Sequence, residues 1–275
     1  MRVRGRNVAW GERTYLMAIV NVTPDSFSGD GREQTQAAIG HAVRQWNAGA
    51  DMLDIGGEST RPGHEPVDES TEKSRVLPVI AGVRERLPNA IISVDTYKAA
   101  VAREALAAGA DIINSVWGAP DEVLDLAAEL ETPIAMMHNQ NGTHYQGDVV
   151  DTVVACLADY ANRALERGIP HERIMLDPGI GFGKSPNHNI RLLRNLSRIR
   201  SIGFATLLGT SRKSTIGKLT GREPHERIYG TAATTALGIA AGIDVVRVHD
   251  VAQNRDVISV SDAIVRDWRP SGWTG

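Results

Sequence analysis

Three segments of the chain share one join. NAGADMLDIG, AAGADIINSV and AAGIDVVRVH each run from a helical pattern through glycine to aspartate and into an apolar strand. Glycine can take the left-handed turn that ends a helix, and a join used three times argues for repeated βα units. Eight short runs read as strands: TYLMAIVNVT, ADMLDIGG, AIISVDT, ADIINSV, TPIAMMHN, RIMLDPGI, ATLLGTS and DVVRVHD. Their near-continuous apolar character marks strands covered on both faces. Strands alternating with helices imply a parallel sheet. Eight such units favour an α/β chain folded as a single-domain (β/α)8 TIM barrel. An open doubly wound sheet is the rival, but no Gly-x-Gly-x-x-Gly follows the first strand. The 275-residue length suits a barrel built as one domain. Residues 14–268 are read as the barrel, 1–13 as an N-terminal extension forming a lid or hairpin, and 269–275 as a C-terminal tail.

Between the strands lie helical signals. Val76, Ile80, Val83 and Leu87 recur at helical spacing, with Ser70 or Thr71 as the expected cap. Pro78 predicts a kink or a late start in that helix. Val150, Val153, Leu157, Tyr160 and Ala164 form a second apolar stripe, which Gly168 ends.

A net charge of −3 and the absence of a long Lys/Arg run give no sign of a nucleic-acid partner. No stretch approaches the roughly 20 apolar residues of a membrane span, and the basic N-terminus precedes no apolar run of export-signal length. A lone cysteine, Cys156, excludes a disulfide framework and suits a reducing, cytoplasmic setting. It is read as a small buried core residue.

In such barrels the site lies at the C-terminal mouth, so the residues that end the strands carry the functional signal. They are Asn21; Thr60 and Arg61; Asp95; Asn114; Met137, His138 and Asn139; Asp177 and Phe182; Ser211, Arg212 and Lys213; and Arg247 and His249. Each alone has a bland reading. Asp95 in SVDTYKAA fits the cap of the next helix, and a solitary Arg or His at a strand end is usually a surface residue. Together they point to one shared ligand. Arg247 and His249 alternate along a strand and so face the same side; with Asn21 they suit an anion such as a phosphate. Asp95, Asn114 and Asp177 suit a flat heterocycle rich in N–H donors, Lys213 suits a ring carbonyl, and Met137 and Phe182 suit the ring faces.

No His-x-x-x-His or clustered cysteine supports a transition metal. A single hard-ligand contact to Mg²⁺ through Asn21, completed by phosphate oxygens, fits the residue types. No Gly-x-Ser-x-Gly elbow supports acyl transfer.

Several of these segments resemble one family. NVTPDSFS, DIGGESTRPG, SVDTYKAAVAREAL, LDPGIGFGK, GTSRKSTIGKLTG and RVHDV are similar, in consistent order over about residues 15–266, to the dihydropteroate synthases. The resemblance implies a (β/α)8 barrel and a transferase of folate biosynthesis. It would join 6-hydroxymethyl-7,8-dihydropterin pyrophosphate to p-aminobenzoate, giving 7,8-dihydropteroate and pyrophosphate, and sulfonamides would compete with p-aminobenzoate. Carried over residue by residue, the resemblance gives Asn21 to Mg²⁺, and Asn21, Arg247 and His249 to the pyrophosphate. Asp95, Asn114, Met137, Asp177 and Lys213 would read the pterin. Thr60, Arg61, Pro62, Phe182, Ser211 and Lys213 would frame p-aminobenzoate. Asp95, Lys213, Arg247 and His249 would be the catalytic set, and a homodimer built through outer helices is expected. Two departures stand out. The first loop reads Ser28-Gly29-Asp30-Gly31, with its acid shifted by one place, and Ser115 replaces an aspartate after the fourth-strand Asn. Strand alternation turns Ser115 away from the pterin side. The rival reading is a pterin-binding module without synthase activity, against which the Asn21, Thr60-Arg61 and Ser211-Arg212-Lys213 set argues.

Overall fold

The computed structural model describes residues 1–23, 31–58, 66–270 and 272–274. The chain opens with an antiparallel hairpin, β1 (Arg2–Val3) and β2 (Arg6–Asn7). Eight parallel strands then close into a barrel: β3 (Tyr15–Asn21), β4 (Met52–Gly56), β5 (Ile91–Asp95), β6 (Ile112–Ser115), β7 (Ile134–Met137), β8 (Ile174–Asp177), β9 (Ala205–Leu208) and β10 (Val245–Val248). Neighbours in sequence pair in space, and β10 returns to β3. The helices are α1 (Gly31–Asn47), α2 (Glu69–Arg86), α3 (Ala99–Ala107), α4 (Asp121–Glu129), α5 (Val149–Glu166), α6 (Pro186–Arg194), α7 (Leu196–Arg200), α8 (Ser214–Thr220), α9 (Ile228–Ala240) and α10 (Val251–Val265). No helix among the described residues is long and apolar enough to cross a membrane.

Strand alternation sorts the apolar residues into two cores. Leu16, Ala18, Val20, Leu53, Ile55, Ile92 and Val94 point outward into the layer between sheet and helices. Met17, Met52, Ile91, Ile112, Met175 and Val245 point inward and fill the barrel floor. Val3 and Val8 join that floor cluster, so the hairpin plugs the N-terminal end of the barrel. Two residues beyond Met52, Ile112, Met175 and Val245, the same inward face carries Asp54, Asn114, Asp177 and Arg247. The barrel therefore has an apolar floor and a polar layer above it.

The repeated join has a physical explanation. Gly49, Gly109 and Gly242 sit at φ of 104°, 118° and 93°, a region that L side chains rarely adopt. Each following aspartate then brackets one residue of the preceding strand. Asp51 accepts the Leu16 N–H at 2.8 Å and donates its own N–H to the Leu16 carbonyl at 2.8 Å. Asp111 does the same to Ile92, at 2.9 and 2.7 Å, and Asp244 to Thr206, at 3.0 and 3.1 Å. The carboxylate thus extends the ladder by one rung at the barrel base. Arg13 and Arg255 hold Asp51, while Arg4 and Arg84 hold Asp111.

Local expectations met mixed outcomes. Helix α2 starts at Glu69 and contains Pro78 in its interior, so no late start occurs. Its cap is Asp68, not Ser70 or Thr71: the Asp68 side chain accepts the Thr71 N–H at 2.8 Å. The stripe of α5 is buried at Val150, Val153, Leu157 and Ala164, and Gly168 follows at φ 82°. Cys156 is half-buried, not a core residue, because it lies beside the stripe and not on it.

Removing one base clamp should cost stability without touching the mouth. Asp111→Ala leaves Arg84 without its carboxylate and Ile92 without an acceptor, and should destabilise the fold by about 3 kcal/mol. The urea midpoint should fall while turnover per folded molecule stays unchanged; an unmoved midpoint would show that the clamp holds nothing.

Candidate functional site

The polar layer is assembled by register. Asn21 pairs across the sheet with Gly56, Gly56 with Asp95, and Asp95 with Asn114, so three polar strand ends lie in one row. Met137 pairs with Asp177 on the other side. The centre of the mouth is Arg247. Its Nε donates to Asp54 Oδ2 at 2.6 Å, and Nη2 donates to Asp95 Oδ2 at 2.7 Å. Asn114 Nδ2 donates to the same Asp54 oxygen at 3.0 Å. Asp95 is thus not a helix cap: α3 begins after Lys98 with no side-chain cap.

Asp54 is the residue that the sequence reading missed. It lies inside an apolar run, MLDIG, fully buried, and nothing short of strand parity marks it. Asp54 Oδ1 and Asp95 Oδ1 are buried without a hydrogen-bond partner among the described residues. Two acceptors without donors suit a ligand edge that carries N–H groups.

A glycine-rich turn builds the opposite wall. After β8, Asp177 Oδ1 accepts the Gly179 N–H at 2.7 Å. Lys213 Nζ donates to the Ile180 carbonyl at 2.5 Å and lies 3.8 Å over the Phe182 ring centroid. Gly181, at φ 86°, makes this approach feasible, since a Cβ there would meet Lys213 Cδ at 2.7 Å. Gly179, at φ 67°, lies against the His138 carbonyl, where any Cβ would collide with backbone.

The Ser-Arg-Lys triplet splits in three directions. Lys213 enters the mouth. Ser211 Oγ lies 2.9 Å from His249 Nδ1 and accepts the His249 backbone N–H at 3.1 Å, which ties the ends of β9 and β10 together. Arg212, in left-handed backbone at φ 58°, turns aside to Asp250. The structure therefore brings together Asp95, Asn114, Asp177, Lys213 and Arg247, with Met137 and Phe182 alongside. Ser211 and His249 form a neighbouring pair, and half-buried Asn21 ends β3. Thr60, Arg61, Pro62 and Asp30 lie outside the described residues.

Burial sets the electrostatics. Desolvation pushes the Asp95 carboxyl up to about 8; Arg247 opposes this and Asp54 reinforces it. Asp177 is raised too, chiefly by burial, against the pull of the Gly179 N–H and Lys213. Burial lowers Lys213 to about 7 although Asp177 favours its charged form. The mouth thus holds groups whose charge states are poised near neutrality, a common property of catalytic sites.

Among the described residues no cluster of three His, Cys, Asp or Glu can hold a metal. Asp54 and Asp95 are engaged with Arg247. A hard cation at Asn21 would take one amide oxygen from the chain and the rest of its shell from water and ligand phosphates, which is how Mg²⁺ commonly binds.

Residues 17–249 match the family described as pterin binding enzyme. The chain is 43% identical over 270 residues to a dihydropteroate synthase of Clostridium beijerinckii, covering 97% of this chain and all of that one. Among solved structures, a dihydropteroate synthase from Clostridium difficile crystallised with pteroic acid is 46% identical at a TM-score of 0.90, covering 94% of this chain and 98% of that one. One from Xanthomonas albilineans with 4-aminobenzoic acid is 43% identical at 0.88, covering 92% and 94%.

The raised Asp95 carboxyl has a testable consequence. Between about pH 4 and pH 8 the folded site keeps a proton that the unfolded chain, titrating near 3.8, has released. Its contribution to stability therefore declines as pH rises through that window. Asp95→Asn should flatten the decline between pH 4.5 and 6.5 in urea unfolding, below the range in which Lys213 titrates. An unchanged slope would mean that Asp95 is ionised throughout.

Proposed function

The chain belongs to the dihydropteroate synthase family of pterin-binding enzymes, and on that premise we propose how its own residues perform the family's reaction. The reaction joins 6-hydroxymethyl-7,8-dihydropterin pyrophosphate to p-aminobenzoate and releases pyrophosphate and 7,8-dihydropteroate. The observation that carries the proposal is the convergence of Asp54, Asp95, Asn114, Asp177 and Lys213 in one mouth, with the Asp54 and Asp95 acceptors left without donors.

The amino and ring N–H groups of a pterin supply those donors, and Lys213 meets its carbonyl. Met137 packs against a face of the ring, and Phe182 lies toward the second substrate. The pyrophosphate points toward β10, where His249 and Arg247 receive it; Arg247 Nε and Nη2 are held by acids, and the fork's remaining nitrogen serves the phosphate. Asn21 would hold a Mg²⁺ ion, which would supply neutralisation of the departing charge. As pyrophosphate leaves, positive charge spreads over the dihydropterin. Asp95, desolvated and held beside Arg247, places its carboxylate oxygens next to that charge and stabilises it. The arylamine of p-aminobenzoate, framed by Thr60, Arg61, Pro62, Phe182, Ser211 and Lys213, attacks the exocyclic carbon and loses a proton. No covalent enzyme intermediate is needed. A single cysteine and no disulfide support a cytoplasmic setting.

We also propose a homodimer. Helices α9 and α10 carry apolar residues on the face turned away from the barrel: Tyr229 and Leu237 on one, Val260 and Ile264 on the other, each exposed by 61% or more. The spacings of eight and four residues place each pair in one stripe. Isolated exposed apolar residues are ordinary, but two neighbouring stripes make a patch suited to a second copy.

Pyrophosphate release should require both substrates and Mg²⁺, and Asp95→Asn should slow it about 10²- to 10³-fold while pterin-pyrophosphate binding stays detectable by calorimetry. Undiminished turnover would remove Asp95 from the chemistry, and release without p-aminobenzoate would favour a hydrolase. Separately, Ile264→Glu should shift the sedimentation coefficient from dimer to monomer; a wild-type monomer would end the dimer proposal.

A further inference from the structure

The mechanism above leaves one buried cation unused. Lys184 closes the motif LDPGIGFGK, is 7% exposed and makes no salt bridge among the described residues. Its ammonium donates to the Phe182 carbonyl at 2.8 Å and to the His138 carbonyl at 3.2 Å, and it lies 2.9 Å from His138 Nδ1. An ammonium among neutral acceptors is costly to bury; burial lowers its pKa to about 7 even though Asp177 favours its charge.

What those acceptors share is the wall of the mouth. His138 directly follows β7, and Phe182 is the ring under Lys213. The glycine turn that carries Phe182 is pinned at several backbone groups. Asp177 takes the Gly179 N–H, Lys213 the Ile180 carbonyl, Asn189 the Gly181 N–H at 2.8 Å, and Tyr145 the Gly183 carbonyl at 3.0 Å. Among the described residues, only Lys184 binds this turn to the end of the neighbouring strand through two carbonyls at once. Gly179 has no Cβ, so the His138 carbonyl packs directly against the turn, and a Cβ there would also crowd Lys184 Nζ at 3.2 Å.

We propose that Lys184 is a positioning residue that sets the Phe182 ring, and through it the p-aminobenzoate subsite, by clasping the glycine turn to the end of β7. The inference rests on the synthase reading given above. It makes a selective claim: Lys184 acts on the second substrate, whereas Asp95, Asn114 and Asp54 on the far wall keep the first.

The test is a double-mutant cycle on the full enzyme, with pyrophosphate release measured against each substrate. Lys184→Met keeps the stem length and removes the donors. It should raise the KM for p-aminobenzoate about tenfold and leave kcat and the KM for the pterin pyrophosphate within about twofold. Phe182→Ala should raise the same KM, and Lys184→Met on top of Phe182→Ala should add less than about twofold. Equal rises in both KM values, or fully additive effects, would overturn the proposal and leave Lys184 a structural residue, as would a lower melting temperature with unchanged kinetics. Should Phe182→Ala leave the KM for p-aminobenzoate unmoved, the clasp would have no subsite to set and the proposal would fail, with the synthase reading intact. A wild-type enzyme that releases no pyrophosphate would instead refute that reading. Should Lys184→Met fail to fold, Tyr145→Phe, which removes only the bond to Gly183, should still raise that KM selectively; no selective rise would count against the clasp.

Discussion

One guanidinium between two buried carboxylates organises the mouth of this barrel. Arg247 holds Asp54 and Asp95 at 2.6 and 2.7 Å in a setting from which water is nearly excluded. Two like charges so close repel, and only a cation of fixed, forked geometry can bridge them. Burying such a triad is costly, and replacing it with apolar side chains would often stabilise a protein. Its presence at the open end, directly above an apolar floor, therefore argues for a ligand. Burial and Asp54 disfavour the charge on Asp95, so positive charge developing beside it offsets that cost. That is the condition for favouring a transition state over a bound substrate.

The second organising element is a turn whose own backbone forms the binding surface. Gly179 and Gly181 occur where a side chain would strike the His138 carbonyl or the Lys213 stem. Lys213 and Lys184 reach the same turn from two sides, and both are driven toward neutrality by burial, while Asp177 favours the charge on each. The wall that carries Phe182 is thus held by hydrogen bonds as well as by the packing of buried Ile180. The opposite ends of the barrel divide the labour. Aspartates after left-handed glycines lock the base, where Asp51, Asp111 and Asp244 meet backbone amides. At the mouth, Asp54 and Asp95 each keep one oxygen short of a donor among the described residues.

The eight strands were legible because each is a near-continuous apolar run, and the repeated glycine–aspartate join marked the units. Asp95, Asp177, Lys213 and Arg247 were legible as polar groups interrupting such runs at their C-terminal ends. Asp54 was not, since a single acid in mid-strand reads as noise until parity shows which way it faces. Lys184 lies within a recognisable motif but shows no role there, because its partners are carbonyls, which sequence does not display. The outer stripes of α9 and α10 were invisible for a related reason: helices that are apolar on two faces look merely hydrophobic until one face is seen buried. The cap of α2 fell one step before the expected hydroxyls because Asp68 competed for the same amide.

Sequence by itself determined the architecture and the family, since period, join and motif order are local properties written along the chain. Tertiary structure alone decided which charges meet. Closing the barrel carries Asp54 to Arg247 across 193 positions of sequence, and Lys213 to Ile180 across 33. Barrel closure and strand register fix those encounters, and no spacing along the chain encodes them.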